Sequence, residues 1–433
     1  MHSPPRACAP VDVIAARSRE RAIYAALFLA ALVPRALYLL RARPAVENYQ
    51  WALAGSLLTD GSLSVDGMKT TAYEPLYPLF LAGARLLAGD HFTLVRVIQC
   101  GLGALGAVLL YRLTTALSGR SRAGVIAALL YAAYPLLIRY AVDLSDTTLT
   151  AVLLVGFAGA LVTAGTARRS AGAGAWLGFV LLTRTMALPL VPLGAAIQWR
   201  TRGGRAAAAF TATSLLVVAP YFVRNHRLNG ALLPTRSGLN LFISNCDHTA
   251  FVLPDHGPDI LEDYAASLLD RDGAVTGPAS PARERAEDRA YTRLALAHMA
   301  ADPLGTLAQK LRNIWYFFSP TLTPSSDPTA GPSFHLDAQA RFTIENSRPR
   351  PILDRLAYTA SYVPVVVLAL LGVWIRRRDL RGAAILGSVL ATFTVVHAVY
   401  FPTTRYRAPV EFVLLVYAAV ALDHRLPGMQ PQR

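Results

Sequence analysis

Apolar residues recur along the chain in ten runs that polar segments separate. Most runs approach the roughly 20 residues that an α-helix needs to cross about 30 Å of hydrocarbon. The runs are residues 22–42, 92–117, 123–141, 147–166, 171–183, 186–199, 206–223, 356–375, 382–400 and 408–422. The fifth and sixth are short, and only Thr183, Arg184 and Thr185 separate them, which predicts a tight hairpin. The pattern therefore predicts an all-α polytopic membrane protein with about ten transmembrane helices.

Shorter apolar faces in the connecting segments predict helices that lie on the membrane surface. In the first connection, Val46, Tyr49, Leu53 and Leu57 fall on one helical face. A second stretch, from Pro75 to about Ala88, is too short to span comfortably, so we interpret it as re-entrant or interfacial.

The long connection before the eighth run is polar from 247 to 290 and predicts a helix from about 281 to 300. From Pro303 onward, apolar residues return at helical spacing with Lys310 and Arg312 on the other side, which predicts an interfacial helix. These apolar residues are Leu304, Leu307, Leu311, Ile314, Trp315 and Phe318.

Composition supports the membrane interpretation, and the charges set an orientation. Apolar residues make up 54% of the 433 residues, and mean hydropathy is +0.37. A net charge of +15 is compatible with nucleic-acid binding, but the basic residues sit in short clusters between runs rather than on one soluble face. By the positive-inside rule these clusters are cytoplasmic. The clusters are Arg17–Arg21, Arg120–Arg122, Arg168–Arg169, Arg200–Arg205 and Arg376–Arg381.

This orientation predicts a multi-pass protein of the cytoplasmic (inner) membrane with both termini cytoplasmic and no nucleic-acid partner. We expect a cytoplasmic tail at 1–21, a transmembrane core at 22–225, and a first outer loop at 43–91 within that core. A long outer loop at 226–355, C-terminal transmembrane helices at 356–422 and a cytoplasmic tail at 423–433 follow.

One glycine motif invites a nucleotide-binding interpretation that its context excludes. Gly101, Gly103 and Gly106 fit G-x-G-x-x-G, but they lie inside an apolar run with no preceding strand. Small residues at this spacing let transmembrane helices approach closely, so we predict a packing role.

Metal and disulfide chemistry receive little support from the sequence. Asp247-His248 and Asp255-His256 contain metal-binding side chains, but no spacing fixes a coordination geometry, so a solvated loop is the favoured interpretation. We predict no cofactor and no bound metal, although the sequence leaves a divalent metal open. Cys8, Cys100 and Cys246 fall in different environments, which argues against an intramolecular disulfide.

Charged residues concentrate at the predicted outer membrane boundary. The acids there are Glu47, Glu74, Asp143, Asp146 and Glu411, and the cations at similar depth are Arg35, Arg184, Arg224, Arg405 and Arg407. Each acid alone is explained by a solvated boundary position. Charge within a membrane is costly, however, and is usually paired or functional. Carboxylates and guanidiniums that converge on one cavity would suit a general base beside an anionic leaving group.

Seven sequence blocks, in this order, resemble the GT-C superfamily of integral-membrane glycosyltransferases. The likeness is to the bacterial branch that is similar to protein O-mannosyltransferases and the lipid A aminoarabinose transferase. The blocks are Arg35–Leu39 with Glu47 and Ala54–Leu58; Thr71–Ala82; Tyr134–Pro135 with Leu144–Asp146; Gly178–Arg184; Ala219–Asn225; Gly238–Asn245; and Arg405–Pro409.

The resemblance implies an inverting transfer in which an acceptor hydroxyl attacks the anomeric carbon of a polyprenyl-phosphate sugar at the outer face. It implies that the acid at the start of the first outer loop is the base. The family usually has Asp there and this chain has Val46-Glu47, so either Glu47 serves or the register differs by one. Asp146 matches the family's second acidic position.

A leaving prenyl phosphate develops negative charge that preorganised cations stabilise. The candidate phosphate-binding residues are Lys69, Arg184, Arg224 and Arg405, and the supporting candidates are Arg35, Glu74, Tyr77, Asn225 and Tyr406. The expected partners are a polyprenyl-phosphate-sugar donor, membrane lipid, and an acceptor that is a lipid, a glycan or a protein.

Two other function classes stay open. A transporter or flippase for a lipid-linked sugar would also be polytopic with buried charges, but repeat symmetry or helices broken near mid-membrane would be expected. The sequence shows neither of these features. A non-catalytic subunit that binds a lipid-linked sugar would share every feature above, and only activity tests separate it from an enzyme.

Overall fold

The computed structural model describes residues 10–41, 48–253, 258–272, 275, 277–322, 333–336, 342–345 and 352–425. The helices, in chain order, are α1 (Pro10–Arg41), α2 (Asn48–Thr59), α3 (Leu76–Ala88), α4 (Phe92–Ser118), α5 (Ser121–Ala133), α6 (Pro135–Val142), α7 (Thr147–Thr163), α8 (Ala167–Leu181), α9 (Leu190–Arg202), α10 (Gly204–Asn229), α11 (Ser237–Ile243), α12 (Thr249–Val252), α13 (Asp259–Asp272), α14 (Pro281–Ala301), α15 (Pro303–Phe317), α16 (Ile352–Ile375), α17 (Leu380–Val399), α18 (Thr404–Arg407) and α19 (Phe412–Arg425).

Two short 3₁₀-helices and two β-hairpins complete the described structure. The 3₁₀-helices are Thr185–Ala187 and Ala408–Val410. Strands β1 (Ser64–Val65) and β2 (Met68–Lys69) pair antiparallel, as do β3 (Ser333–Leu336) and β4 (Phe342–Glu345). The all-α prediction is confirmed, because both hairpins are small attachments to a helical molecule.

Each of the ten predicted apolar runs is largely helical, which makes this a multi-pass membrane protein. Five described helices are long and apolar enough to cross a bilayer on their own, and a bent pair makes a sixth. The other runs correspond to the shorter helices α7, α8, α9 and α19, so the count of ten crossings stays a prediction.

The third apolar run, which counts as one predicted span, is broken into two helices, a feature that the sequence did not show. α5 and α6 meet at Pro135 with a bend of 57°. Proline lacks the N–H that would continue the helix, and it pushes the preceding residue out of the helical region. Tyr134 accordingly has an extended backbone, with ψ at 114°. The bend directs α6 towards the turn that carries Asp143 and Asp146.

Two of the three motif glycines allow close helix packing, as predicted. A Cβ atom on Gly106 would lie 2.3 Å from the Tyr131 hydroxyl, and one on Gly103 would lie 3.0 Å from Nε of Arg35. Gly101 has no such neighbour within 4 Å. The packing prediction is therefore confirmed for Gly103 and Gly106 only.

The segment between α10 and α16, which the charge pattern predicts to be outer and which we call the outer segment, contains more ordered structure than its polar sequence suggested. α13 lies in the stretch that looked like loop, because Leu261, Tyr264, Ala265 and Leu269 turn inward. These side chains form a small apolar core with residues of α11 and α14, and Phe401 joins it. This core gives the segment a fixed position beside the C-terminal end of α17.

The helices predicted from about 281 to 300 and from Pro303 onward are present. α14 and α15 agree with the bounds expected from the sequence. Leu304, Leu307, Leu311 and Trp315 are exposed on α15. Its other side is fixed to the protein, since Lys310 and Asn313 donate hydrogen bonds to the backbone carbonyls of Val399 and Ala398.

Candidate active site at the ends of α7, α8 and α18

Asp146 lies at the centre of a buried charge cluster. It precedes α7, in the turn that follows the bent pair α5 and α6. Nε of Arg184 lies 2.8 Å from its Oδ2, and Nη2 of Arg184 donates to its Oδ1 at 2.8 Å. Nη2 of Arg405 donates to the same Oδ1 at 2.9 Å. Three residues that are distant in sequence thus meet as one carboxylate between two guanidiniums.

The two arginines differ in how much of the side chain reaches the surface. Arg184 occupies the turn after α8, and its side chain is 4% exposed. Arg405 lies on the short helix α18, and its side chain keeps 30% exposure. Arg184 is therefore enclosed by the protein, whereas part of the Arg405 side chain is accessible from outside.

The environment of Asp146 keeps it ionised. Burial raises the pKa of this carboxyl, but the guanidiniums of Arg184 and Arg405 outweigh burial and hold the pKa below its usual range. A carboxylate in this state is a weak proton acceptor. It is well suited to positioning cations.

Glu74 is a second buried carboxylate, and it is linked to the cluster through the residue after Arg184. Its Oε1 accepts hydrogen bonds from the Thr185 backbone N–H at 2.9 Å and from the Thr185 hydroxyl at 2.8 Å. Burial raises the pKa of Glu74, and the charge of Asp146 adds to that rise. Glu74 therefore connects the predicted first outer loop to the turn after α8 that carries Arg184.

Aromatic stacking fixes the face of Arg184 that points away from Asp146. Its guanidinium carbon lies 4.9 Å from the ring centroid of Tyr406. The Tyr406 ring stacks on His397, with centroids 4.3 Å apart and planes 9° apart. Tyr406 is among the residues predicted from the sequence, whereas His397 is not. A histidine inside an apolar span is an available signal, since polar residues there are seldom incidental.

A second charge cluster lies around Asp143, three residues before Asp146. Nε of Arg139 lies 3.7 Å from its carboxylate, and Arg96 donates to the neighbouring Val142 carbonyl at 3.1 Å. Tyr77, a predicted supporting residue, donates to Gln99, whose amide in turn donates to the Asp143 carbonyl. Tyr77 thus supports the turn between α6 and α7 through Gln99.

Arg224 and Asn225 lie with the first outer loop, away from the Asp146 contacts. Arg224 donates to the carbonyls of Thr70 and Leu63 and to the side chain of Asn225. The β1–β2 hairpin beside them turns at Asp66-Gly67, both with positive φ, as a two-residue hairpin requires. Lys69 is exposed at the end of β2. The described contacts of Arg224 thus fix the hairpin.

Glu284, which was not among the residues predicted from the sequence, joins the outer segment to the predicted first outer loop. Glu284 on α14 accepts from the Thr71 backbone N–H at 3.0 Å and from the hydroxyls of Thr71 and Thr235. No motif marks Glu284 in the sequence, because its partners are supplied only by the fold.

The remaining predicted residues occupy separate positions. Arg35 is fully buried and donates to carbonyls of Ala31, Tyr131 and Ala132, so its described contacts join α1 to α5. Arg407 and Glu411 form their own buried ion pair. Glu47, Asp255, His256 and Cys8 lie outside the described residues. Within the described part of the chain, no group of three or more His, Cys, Asp or Glu side chains could hold a metal ion.

Comparison with known proteins gives one family match and several structural ones. Residues 71–227 match the dolichyl-phosphate-mannose-protein mannosyltransferase family. No curated protein sequence matches the chain. The matched region carries Glu74, Asp146, Arg184 and Arg224, so it includes most of the candidate site.

The archaeal oligosaccharyltransferase AglB from Archaeoglobus fulgidus, in complex with an inhibitory peptide and a dolichol-phosphate, superimposes with a TM-score of 0.53 at 15% identity. The match covers 93% of this chain and 50% of AglB, so the chain spans about half the length of that enzyme. The apo form gives the same TM-score, 0.53, and covers 94% of this chain.

ArnT from Cupriavidus metallidurans matches less well, with a TM-score of 0.39 at 15% identity over 94% of this chain and 78% of ArnT. The architecture described above and its agreement with AglB assign the fold, and residues 71–227 add the family pattern within it. The chain accordingly has the GT-C fold, as the seven sequence blocks predicted, and residues 71–227 are similar to the mannosyltransferase family.

Proposed function

We propose that this protein transfers a sugar from a polyprenyl-phosphate carrier to an acceptor hydroxyl at the outer face of the cytoplasmic membrane, with inversion at the anomeric carbon. The observation that carries the proposal is the Asp146 cluster, where two guanidiniums surround one carboxylate. This arrangement leaves an excess of positive charge at the predicted outer boundary. Such a site suits a phosphate that gains negative charge as the sugar departs.

Arg405 is the residue that we assign to the donor phosphate. It combines a charge-assisted contact to Asp146 with a partly exposed guanidinium. In this proposal Arg184 fixes the position of Asp146, which in turn positions Arg405, and Arg184 does not contact the phosphate. Lys69 is exposed on the first outer loop and supplies a second phosphate contact in the proposal.

Glu47 is the residue that we assign as general base. The low pKa of Asp146, which its two arginines maintain, makes that carboxylate unsuited to accept a proton. The sequence places Glu47 directly before α2, whose N-terminal dipole favours an ionised carboxylate. The acceptor hydroxyl attacks the anomeric carbon, its proton passes to Glu47, and the bond to the phosphate oxygen breaks.

The dolichol-phosphate in the AglB complex supports a polyprenyl-phosphate carrier for the donor. The identity of the sugar and of the acceptor, whether lipid, glycan or protein, has to be determined by experiment. Mass spectrometry of envelope lipids, glycans and glycoproteins from a deletion strain would identify both. Loss of one glycosylated product, restored by the intact gene, is the expected result.

Glu47→Gln tests the catalytic assignment, because glutamine keeps the size of glutamate but cannot accept a proton. General-base catalysis is typically worth about 10²–10⁴-fold, so a fall of that size in kcat is expected with donor binding retained. Asp146→Asn should leave a partial defect, and Asp90→Asn, an exposed carboxylate of the same loop, should be normal.

Two outcomes would overturn these assignments. An inactive Asp146→Asn beside a nearly normal Glu47→Gln would exchange the two roles. Binding of the lipid-linked sugar by the wild type, with no turnover of any donor, would favour a non-catalytic subunit instead.

A further inference from the structure

A cavity of about 450 Å³ lies between α1, α4, α7 and α8, far from the Asp146 cluster. Asp146 precedes the first residue of α7, whereas Thr163, which lines the cavity, is the last. At about 1.5 Å per residue, the 17 residues of α7 separate the two sites by roughly 25 Å. In the orientation that the basic clusters predict, the cavity lies in the cytoplasmic half of the membrane.

The cavity exists because α7 presents small residues where a larger side chain would fill the space. Gly156, Gly159 and Ala160 line it from α7. A Cβ atom on Gly156 would lie 2.4 Å from the Trp176 ring, so this glycine lets the ring approach the helix. A Cβ atom on Gly159 would meet only Leu113, at 3.9 Å, so this position faces open space.

Apolar side chains form much of the remaining wall, and α1 and α4 each add one charged side chain at the mouth. Leu109, Leu113 and Val155 line the interior, together with the Trp176 ring. Glu20 and Arg112 also line the cavity, and both are exposed.

The two charges at the mouth do not neutralise each other. The Tyr24 hydroxyl donates a hydrogen bond to Glu20, and Arg112 acts on that same hydroxyl electrostatically. Among the side chains that the structure describes, the ion pairs include neither Glu20 nor Arg112. A carboxylate and a guanidinium thus face one opening, each with capacity for a charged ligand.

We propose that this cavity binds a phospholipid with a phosphoethanolamine head group from the cytoplasmic leaflet. Arg112 contacts the phosphate through charge-assisted hydrogen bonds. Glu20 accepts from the primary ammonium group, and an acyl chain lies along Gly159 and Leu113. The volume falls within the roughly 300–1,000 Å³ typical of sites for lipid-sized or drug-sized ligands.

The chemistry of the mouth discriminates between phospholipids. An anionic phosphatidylglycerol head satisfies Arg112 but places no cation against Glu20. A phosphatidylcholine head carries its cation as a quaternary ammonium, which has no N–H to donate to a carboxylate. Phosphatidylethanolamine supplies both partners, which is why we commit to it.

The test is native mass spectrometry of the full-length protein released from vesicles of phosphatidylethanolamine, phosphatidylcholine and phosphatidylglycerol at equal mole fractions. We expect phosphatidylethanolamine to be retained at least several-fold over the other two lipids. Arg112→Gln and Glu20→Gln should each remove that preference. Arg169→Gln, which changes an exposed arginine of the next cytoplasmic connection, should keep it.

Gly159→Leu should fill the cavity and abolish lipid retention, and thermal unfolding in detergent shows whether this variant is folded. If it is not, the head-group variants still decide the question. Preferential retention of phosphatidylglycerol, equal retention of all three lipids, or an unchanged preference in both Arg112→Gln and Glu20→Gln would overturn the proposal.

Discussion

Two nitrogens of the Arg184 guanidinium contact the Asp146 carboxylate, with Nε 2.8 Å from Oδ2 and Nη2 2.8 Å from Oδ1. The planar guanidinium matches the geometry of a carboxylate in such a pair, and lysine cannot reproduce it. The two residues are 38 positions apart in sequence, on opposite sides of a helical hairpin. The contact locks the turn before α7 against the turn after α8, and Arg405 is added to this fixed pair.

Replacing the two arginines by alanine should have different effects. Arg184→Ala leaves Asp146 buried with one partner fewer, and breaking a buried pair typically costs about 3–5 kcal/mol. Arg405→Ala removes a partly exposed partner, so we expect a folded protein whose KM for donor rises about tenfold or more. Thermal unfolding in detergent and donor kinetics measure these two effects separately. Turnover of both variants at the wild-type rate with limiting donor would reduce the arginines to structural anchors.

The two buried carboxylates should respond to pH in opposite ways. The folded pKa of Asp146 is depressed, so its stabilising contribution is complete above its ordinary value of 3.8 and is lost only as pH falls through the folded value. The stability difference between wild type and Asp146→Asn should therefore stay constant from pH 5 to pH 8.

Burial raises the folded pKa of Glu74, so its contribution is present below its ordinary value of 4.5 and is lost as pH rises through the folded value. The wild type should consequently lose stability relative to Glu74→Gln as pH rises above 4.5. Thermal unfolding of the three proteins across this range checks both expectations. A wild type that gains stability relative to Glu74→Gln as pH rises would contradict the assigned direction.

The motif glycines offer a matched pair for testing helix packing. Gly106→Ala places a methyl group 2.3 Å from the Tyr131 hydroxyl, so α4 and α5 must separate or Tyr131 must move. Overpacking of this kind typically costs about 1–3 kcal/mol. Gly101→Ala adds the same methyl group where nothing lies within 4 Å, so it should be neutral or slightly stabilising. Equal melting temperatures for the two variants would show that Gly106 has no packing role.

The predicted orientation is open to a direct test with reporter fusions. A reporter joined after Arg205 or Arg378 should be cytoplasmic, because both positions lie in basic clusters between apolar runs. One inserted near Asp270, at the end of α13, should be exported. Opposite results at two of these sites would place the Asp146 cluster inside the cell and overturn the proposed reaction topology.

Much of the architecture is readable from the sequence because the bilayer imposes a simple rule. Backbone groups have no hydrogen-bond partners in hydrocarbon, so apolar runs must be helical, and composition alone locates them. The predicted bounds of α14 and α15 agree for a similar reason, since a proline near the start of each and the apolar spacing of α15 are local signals. The bend at Pro135 was not predicted, because an apolar run looks the same in the sequence whether its two helices are collinear or bent.

For the candidate site, the sequence identified several of the residues, but only the structure shows how they pair. The sequence alone singled out Asp146, Arg184 and Arg405 as charges at one membrane boundary, because an ionised side chain near hydrocarbon is costly wherever it occurs. It could not show which cation meets which acid, that Arg184 is committed to Asp146, or that Arg224 holds carbonyls of the first outer loop. Those pairings depend on side-chain directions and on distances between helices, which only packing sets. His397 and Glu284 were missed for that reason, since each acquires its contacts from residues that the fold brings from elsewhere in the chain.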